Sequence, residues 1–228
     1  APVTVVPATA VPVPATAPEP GGPAPSEVTT EQVVGPVGRL EVASDAGGIT
    51  VTGTDDGAVT VTRSIYRDPV APVEVVRHEG DLLHIESQCP PDSQQAGPCR
   101  IDYDITVPRG TVVTIAGASG DLATSGLTGP LTARSASGSI RVGEHQSATT
   151  TAESASGDVT VHLGTRPVTL EATSTSGNVQ VTLPDAGPYR VAADTVTGRT
   201  DVGVRSDPGA RSTIRVRTTS GDVSVGTG

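Results

Sequence analysis

Residues 154–164 read SASGDVTVHLG. The phrase returns with small changes: SASGSIRVGE begins at Ser135 and STSGNVQVTLP at Ser174. Its Ser/Thr-Gly step recurs at Ser119-Gly120, Ser137-Gly138, Ser156-Gly157, Ser176-Gly177, Thr197-Gly198 and Ser220-Gly221, with the glycines 18, 19, 20, 21 and 23 residues apart. A half-period step, Thr128-Gly129, falls inside the first interval. A looser early copy, RLEVASDAGGITVTG, sets Gly48-Ile49-Thr50-Val51 against Gly157-Asp158-Val159-Thr160-Val161. Period-two runs flank each step: Val168, Leu170 and Ala172 on one side, Val179, Val181 and Leu183 on the other. Such alternation makes strands with one buried face. Glycine between them permits a positive φ at a sharp corner. No segment of helical length shows a 3.6-residue period.

A repeat near 20 residues carrying two short strands predicts an all-β fold, a single-stranded parallel β-helix or β-solenoid. One coil cannot bury its Val and Leu face; its neighbours must cover it. Stacking at ~4.8 Å gives about nine coils and a rod on the order of 45 Å long. An antiparallel β-sandwich also has short strands at this spacing. Recurrence of the same residue types at matching positions favours the solenoid. Gly120, Gly138, Gly157, Gly177, Gly198 and Gly221 are then the structural turn repeat, and the Ser or Thr before each should bond the turn backbone. The next column reads Asp121, Ser139, Asp158, Asn178, Arg199, Asp222. No two acids are adjacent, as a stack at ~4.8 Å requires, and calcium would want the acids together. The last repeat, ARSTIRVRTTSGDVSVGTG, reads as the end coil, with Arg211, Arg215 and Arg217 charging an open edge. End-to-end self-association and an acidic partner are the interactions such an end offers.

Composition agrees with a thin core. The 228 residues include no Trp, Phe or Met and only three Tyr, at 66, 103 and 189. All 15 basic residues are Arg, and the net charge is -10. With neither a basic stripe nor aromatic platforms, nucleic acid is not an expected partner. Residues 1–36 are dense in Pro and Ala, which predicts an extended stalk or linker without helix or sheet ladder. Residues 37–228 are then the solenoid domain. The chain does not begin with Met, so a signal peptide or membrane anchor is expected upstream. Within 66–108 the pattern is less regular. LLHIES and RIDYDITV read there as a hairpin projecting from the rod, joined through QCPPDSQQAGPCR. Cys89 and Cys99 in that loop are expected to pair, which implies an oxidising compartment. A metal pair is the other reading, but it lacks further ligands nearby.

No catalytic, cofactor-binding or metal constellation emerges. Asp102 and Asp104 share a strand face about 7 Å apart, a spacing a glycosidase can use, but a solvent-facing edge explains them as well. His78, His84, His145 and His162 are dispersed and read as exposed strand residues, with His78 and His84 able to meet across a turn. GASGD at Gly117 is no nucleophile elbow. Thr-x-Thr columns do not persist at one register, against ice binding.

VPRGT at Val107–Thr111, followed by repeated ASGD and SGNV units, resembles the β-strand-repeat adhesin-type domains of unknown function found on bacterial surfaces. The likeness spans about residues 38–228. It implies a β-solenoid outside the cytoplasmic membrane, without established catalytic residues, and relatives accompany envelope-stress systems. The expected function is therefore non-enzymatic surface display, adhesion or envelope scaffolding. The expected partner is a cell-envelope component or a surface glycan or protein. A carbohydrate-active β-helix enzyme and an extracellular sensor domain of an envelope-stress system are the alternatives.

Overall fold

The structure, a computed structural model, describes residues 24–67, 70–91 and 99–228. Nineteen strands are present among these residues. In chain order they begin with β1 (Glu27–Val33), β2 (Arg39–Ser44), β3 (Ile49–Thr54), β4 (Val59–Arg67), β5 (Val73–Glu79), β6 (Leu82–Gln88), β7 (Cys99–Pro108), β8 (Val112–Ser119) and β9 (Leu122–Ser125). They continue with β10 (Leu131–Ser137), β11 (Ile140–His145), β12 (Thr149–Ser156), β13 (Val159–Leu163), β14 (Thr169–Ser176) and β15 (Val179–Leu183). The last four are β16 (Arg190–Thr197), β17 (Thr200–Val202), β18 (Thr213–Ser220) and β19 (Val223–Thr227).

Two sheets face each other, one of ten strands and one of nine. Each coil gives one strand to the nine-stranded sheet, turns a corner, and gives the next to the ten-stranded sheet. Along the rod the coils lie in the order β6/β7, β2/β3, β8/β9, β10/β11, β12/β13, β14/β15, β18/β19, β16/β17, with parallel pairing throughout. This is a parallel β-solenoid, not a sandwich of antiparallel sheets. The inward positions carry mostly Val, Ile, Leu and Ala in columns; Leu83, Leu40, Val113, Leu131, Thr150, Leu170 and Ile214 stack in one of them.

The corner glycines stack directly. Gly120, Gly138, Gly157, Gly177, Gly221 and Gly198 all have φ between +120° and +148°. A Cβ on Gly157 would stand 2.3 Å from the Gly138 carbonyl oxygen, and one on Gly177 would stand 2.2 Å from that of Gly157. The early copy joins the column one residue from where its sequence suggests, through Gly47 (φ +110°), because Ile49 pairs with Leu122. The hydroxyl that serves each corner is also displaced. The Ser or Thr next to the glycine is exposed, though Thr197 still donates to the Thr219 carbonyl, and the residue three before the glycine turns inward instead. Ser154, Ser174, Thr218 and Thr195 donate to the carbonyls of Gly138, Gly157, Gly177 and Gly221 on the adjacent coil.

Three expectations are corrected. Residues 27–33 are not ladder-free spacer: β1 pairs antiparallel with β4 along its whole length. The stretch Ser26–Val34 holds no proline, so the physical argument against a ladder does not reach it. The remaining expected stalk, residues 1–23, lies outside the described residues. LLHIES and RIDYDITV do not form a hairpin. β6 and β7 belong to opposite sheets and are the two halves of one coil, with Cys89–Cys99 at its corner. The local hairpin is β5–β6, turning at Gly80 (φ +64°), and β7 pairs antiparallel with β4. Finally, the last repeat is not the end coil. β18/β19 is inserted between β14/β15 and β16/β17, so Arg215 and Arg217 lie within the sheet, with Arg217 3.7 Å from Asp194. The spatial end is β16/β17, where Val202 is exposed.

Gly157→Ala should lower the unfolding free energy by about 3 kcal/mol or more, because the new Cβ has only neighbouring backbone to meet. Gly57, at φ +66° with open space around it, should cost about 1 kcal/mol when changed to Ala. Urea denaturation of the two variants checks the contrast.

Candidate functional site

The coil β6/β7 departs from the repeat. Where its neighbours turn through a glycine corner, it carries the segment 89–99 closed by the Cys89–Cys99 disulfide, with Cα atoms 6.0 Å apart. Beside this corner, on the outer face of the nine-stranded sheet, lies a trough of about 290 Å³. Ala43, Ala116, Ala118 and Ala136 floor it, because small side chains fall at adjacent outward positions of β2, β8 and β10. Glu86, Gln88 and Asp45 supply its polar wall, and the Gln88 amide donates to Glu86 at 2.8 Å. A second hollow of about 220 Å³ follows on the same face, lined by Arg77, Glu79, Leu82 and His84. His84 lies between them, 3.4 Å from Glu41 and 3.8 Å from Glu86.

Under this surface a polar network closes the end of the core. Arg63 of β4 is buried and donates through Nε to Glu74 of β5 at 2.7 Å; its Nη1 donates to Glu31 of β1 at 3.3 Å. The Tyr103 hydroxyl donates to the same Glu74 oxygen at 2.9 Å. Burial pushes the Tyr103 phenol well above its ordinary range, with the Glu74 charge adding to it, so it stays a donor. The network ties the antiparallel end layer to both sheets.

The sequence candidates are placed apart. Asp102 is not a free edge carboxylate: it accepts the Gly48 N–H at 2.9 Å and lies 3.5 Å from Arg100. Asp104 faces out of β7 between Thr62 and Thr50, with no acid opposite. His78 turns inward toward the Pro36 carbonyl at 3.1 Å, while His84 faces out, so the pair does not converge. His145 is not exposed at all; it is fully buried. The column after the corner glycines has a use beyond charge tolerance. Asp121 accepts the Ser139 N–H, Asp158 that of Asn178, Asn178 that of Asp222, and Asp222 that of Arg199, all within 2.7–2.9 Å. Asp121 also receives Arg141 at 2.8 Å, and these bonds hold its carboxyl below the usual range. Among the described residues, no group of three or more His, Cys, Asp or Glu is arranged to hold a metal ion.

The family model described as Toastrack DUF4097 matches residues 40–226. The chain belongs to this family. No curated protein gives a significant match. Among solved structures, a candidate cell-adhesion protein from Clostridium sporogenes is similar over 89% of this chain and 100% of its own, at 10% identity and a TM-score of 0.52. A candidate adhesin from Bacteroides fragilis covers 89% of this chain and 97% of its own, at 14% identity and a TM-score of 0.48. At such identity the first likeness speaks for the fold alone.

The Toastrack stack thus spends its repeated polar residues on its own corners. Among the described residues, the trough and the hollow near the disulfide are two concavities on its outer face. Sequence reading missed this surface because it is assembled from β2, β6, β8 and β10, whose neighbourhood follows from the displaced order of the first coils. It missed Arg63 and Glu74 for the same reason. Arg63→Ala should destabilise the Toastrack domain by about 3 kcal/mol, since it leaves two carboxylates at the end of the core without their cation. Exchanging Arg63 for Met together with Glu74 for Leu should recover much of that loss in thermal unfolding.

Proposed function

We propose that the domain is a non-enzymatic binding or display module working outside the cytoplasm, and that the trough beside Cys89–Cys99 is its contact surface. The observation that carries this reading is the trough itself: a small-residue floor on a rigid sheet, walled by polar groups and set beside the disulfide-closed corner. A floor of Ala lets a flat partner approach the sheet closely. Glu86, Gln88 and Asp45 offer hydrogen-bond acceptors along its side, which suits hydroxyl, amide or amine groups of an envelope glycan or protein. The disulfide supports an oxidising, extracytoplasmic setting. Of the two acids a glycosidase reading would use, Asp102 is bonded to the Gly48 N–H, and Asp104 has Thr62 and Thr50 beside it and no acid opposite. Structurally similar proteins are described as candidate adhesins, which agrees with a surface role.

Binding of the purified domain to cell-wall and envelope fractions tests the proposal, with Ala116→Trp as the blocking variant. Ala116 points outward, so the variant should fold normally while its binding falls at least tenfold. Unchanged binding would remove the trough from the account. Turnover of an acidic polysaccharide, lost in Asp104→Asn, would replace the binding reading with an enzymatic one.

A further inference from the structure

His145 occupies a position that its neighbours give to leucine. It pairs in register with Leu163 of β13, and the Gln146 N–H donates to the Leu127 carbonyl, so the column runs Leu127, His145, Leu163. All three side chains are 0–1% exposed. Neither imidazole nitrogen has a hydrogen-bond partner. An orphaned buried polar group of this kind costs stability and calls for a reason.

The backbone is bent to put it there. Between Val142 and His145 the register shifts, so that Gly143 and Glu144 together face the single His162 of β13. Glu144 is the one non-glycine residue with positive φ, at +52°, among the described residues. Without this bulge Glu144 would fall opposite Leu163 and face the core. The bulge turns the carboxylate out to solvent and brings the histidine in.

No charge compensates the ring. The inward side chains around it are Thr124 and Leu127 before β10, Leu131 of β10, Thr150 of β12, and Val161 and Leu163 of β13, none of which titrates. The titratable groups of the packed strands all face outward: Arg134 on β10, Arg141 and Glu144 on β11, Glu153 on β12, His162 on β13. Thr124 and Thr150 are themselves buried with unpartnered hydroxyls. Nothing inward on these strands can therefore stabilise a proton on the ring.

We propose that His145 is an acid-sensitive lock: neutral, it completes the leucine column; protonated, it forces the stack open between β10/β11 and β12/β13. In a solenoid each coil touches only its neighbours, so opening here divides the rod in two. Burial alone holds the imidazole down at about 4, against 6.5 for the free group. The unfolded chain then binds the proton more readily than the folded one. Stability from this residue is complete above pH 6.5 and is lost as the pH falls toward 4. The lowered carboxyl of Asp121 acts below this window.

The test is denaturant unfolding from pH 7 to pH 5, with hydrogen exchange to locate the opening. The wild-type unfolding constant should rise roughly twentyfold beyond any change in His145→Leu, whose curve should be flat across this window. Exchange at pH 5 should appear first in residues 140–156. His162→Gln, altering an outward histidine, should keep the wild-type slope. If His145→Leu does not fold, His145→Gln, which cannot take the charge, serves in its place. A variant as pH-sensitive as the wild type, or an NMR titration of His145 near the ordinary histidine value, would overturn the proposal.

Discussion

Backbone-to-backbone contact at the glycine corner sets the geometry of the whole stack. Where a Cβ would stand 2.0–2.3 Å from the neighbouring carbonyl, no side chain larger than hydrogen can be interposed. Successive corners must therefore sit in one line. Once they do, every other position in the coil is in register with its counterparts, and the inward Val and Leu columns follow. The same contact decides where the corner's hydrogen bonds go. The carbonyls of Gly138, Gly157, Gly177 and Gly221 accept a hydroxyl from inside the core, and the N–H groups of Ser139, Asn178, Asp222 and Arg199 donate to a carboxylate or amide oxygen outside it. A sharp turn that would otherwise strand backbone groups is thus satisfied from both sides.

The ends follow different rules because a stack has no neighbour beyond its last coil. At the N-terminal end the chain reverses: β4 and β5 run antiparallel to the coil they cover, and Arg63, Glu74 and Tyr103 stand where aliphatic side chains would be half-exposed. At the other end the chain builds β16/β17 first and then fits β18/β19 inside it. β18/β19 is thereby paired on both edges, and the more exposed coil β16/β17 takes the outer place. The disulfide has a comparable place. It links the end of β6 to the start of β7, in the coil where Ile101, not a glycine, lies against the would-be Cβ of Gly47.

The regular part of this fold was legible because its causes are local. Period-two Val and Leu runs and glycines at 18–23-residue spacing state the strand, the corner and the stacking together. What was illegible depends on contacts between distant segments. Nothing in ARSTIRVRTTSGDVSVGTG says whether it follows β16/β17 in space or slips beneath it, because both arrangements use the same register. β1 hid inside a proline-rich environment although its own stretch has none. His145 was misread because the alternation RVGEH points it outward until the bulge at Gly143-Glu144 is seen. The trough was invisible for a related reason: its alanines belong to strands far apart in sequence.

The distribution of charge along the rod bears on what this surface meets. Residues 24–125, which build the capped end and the trough, hold fifteen acidic residues against six arginines, a net of -9. Residues 184–228, which build the opposite end, hold five against six, a net of +1. Most of the chain's net charge of -10 is therefore gathered at the end that carries the disulfide corner. A field of this sign lowers the encounter rate of anionic polymers and raises that of cationic or neutral ones, the more so at low ionic strength. An acidic polysaccharide, the usual substrate expected of a parallel β-helix enzyme, would approach against this field. An amine-bearing or neutral glycan, or a basic protein segment, would approach with it. Glu86 and Asp45 at the wall of the trough belong to this acidic part of the rod, so the field there has the same sign as the trough's own polar wall.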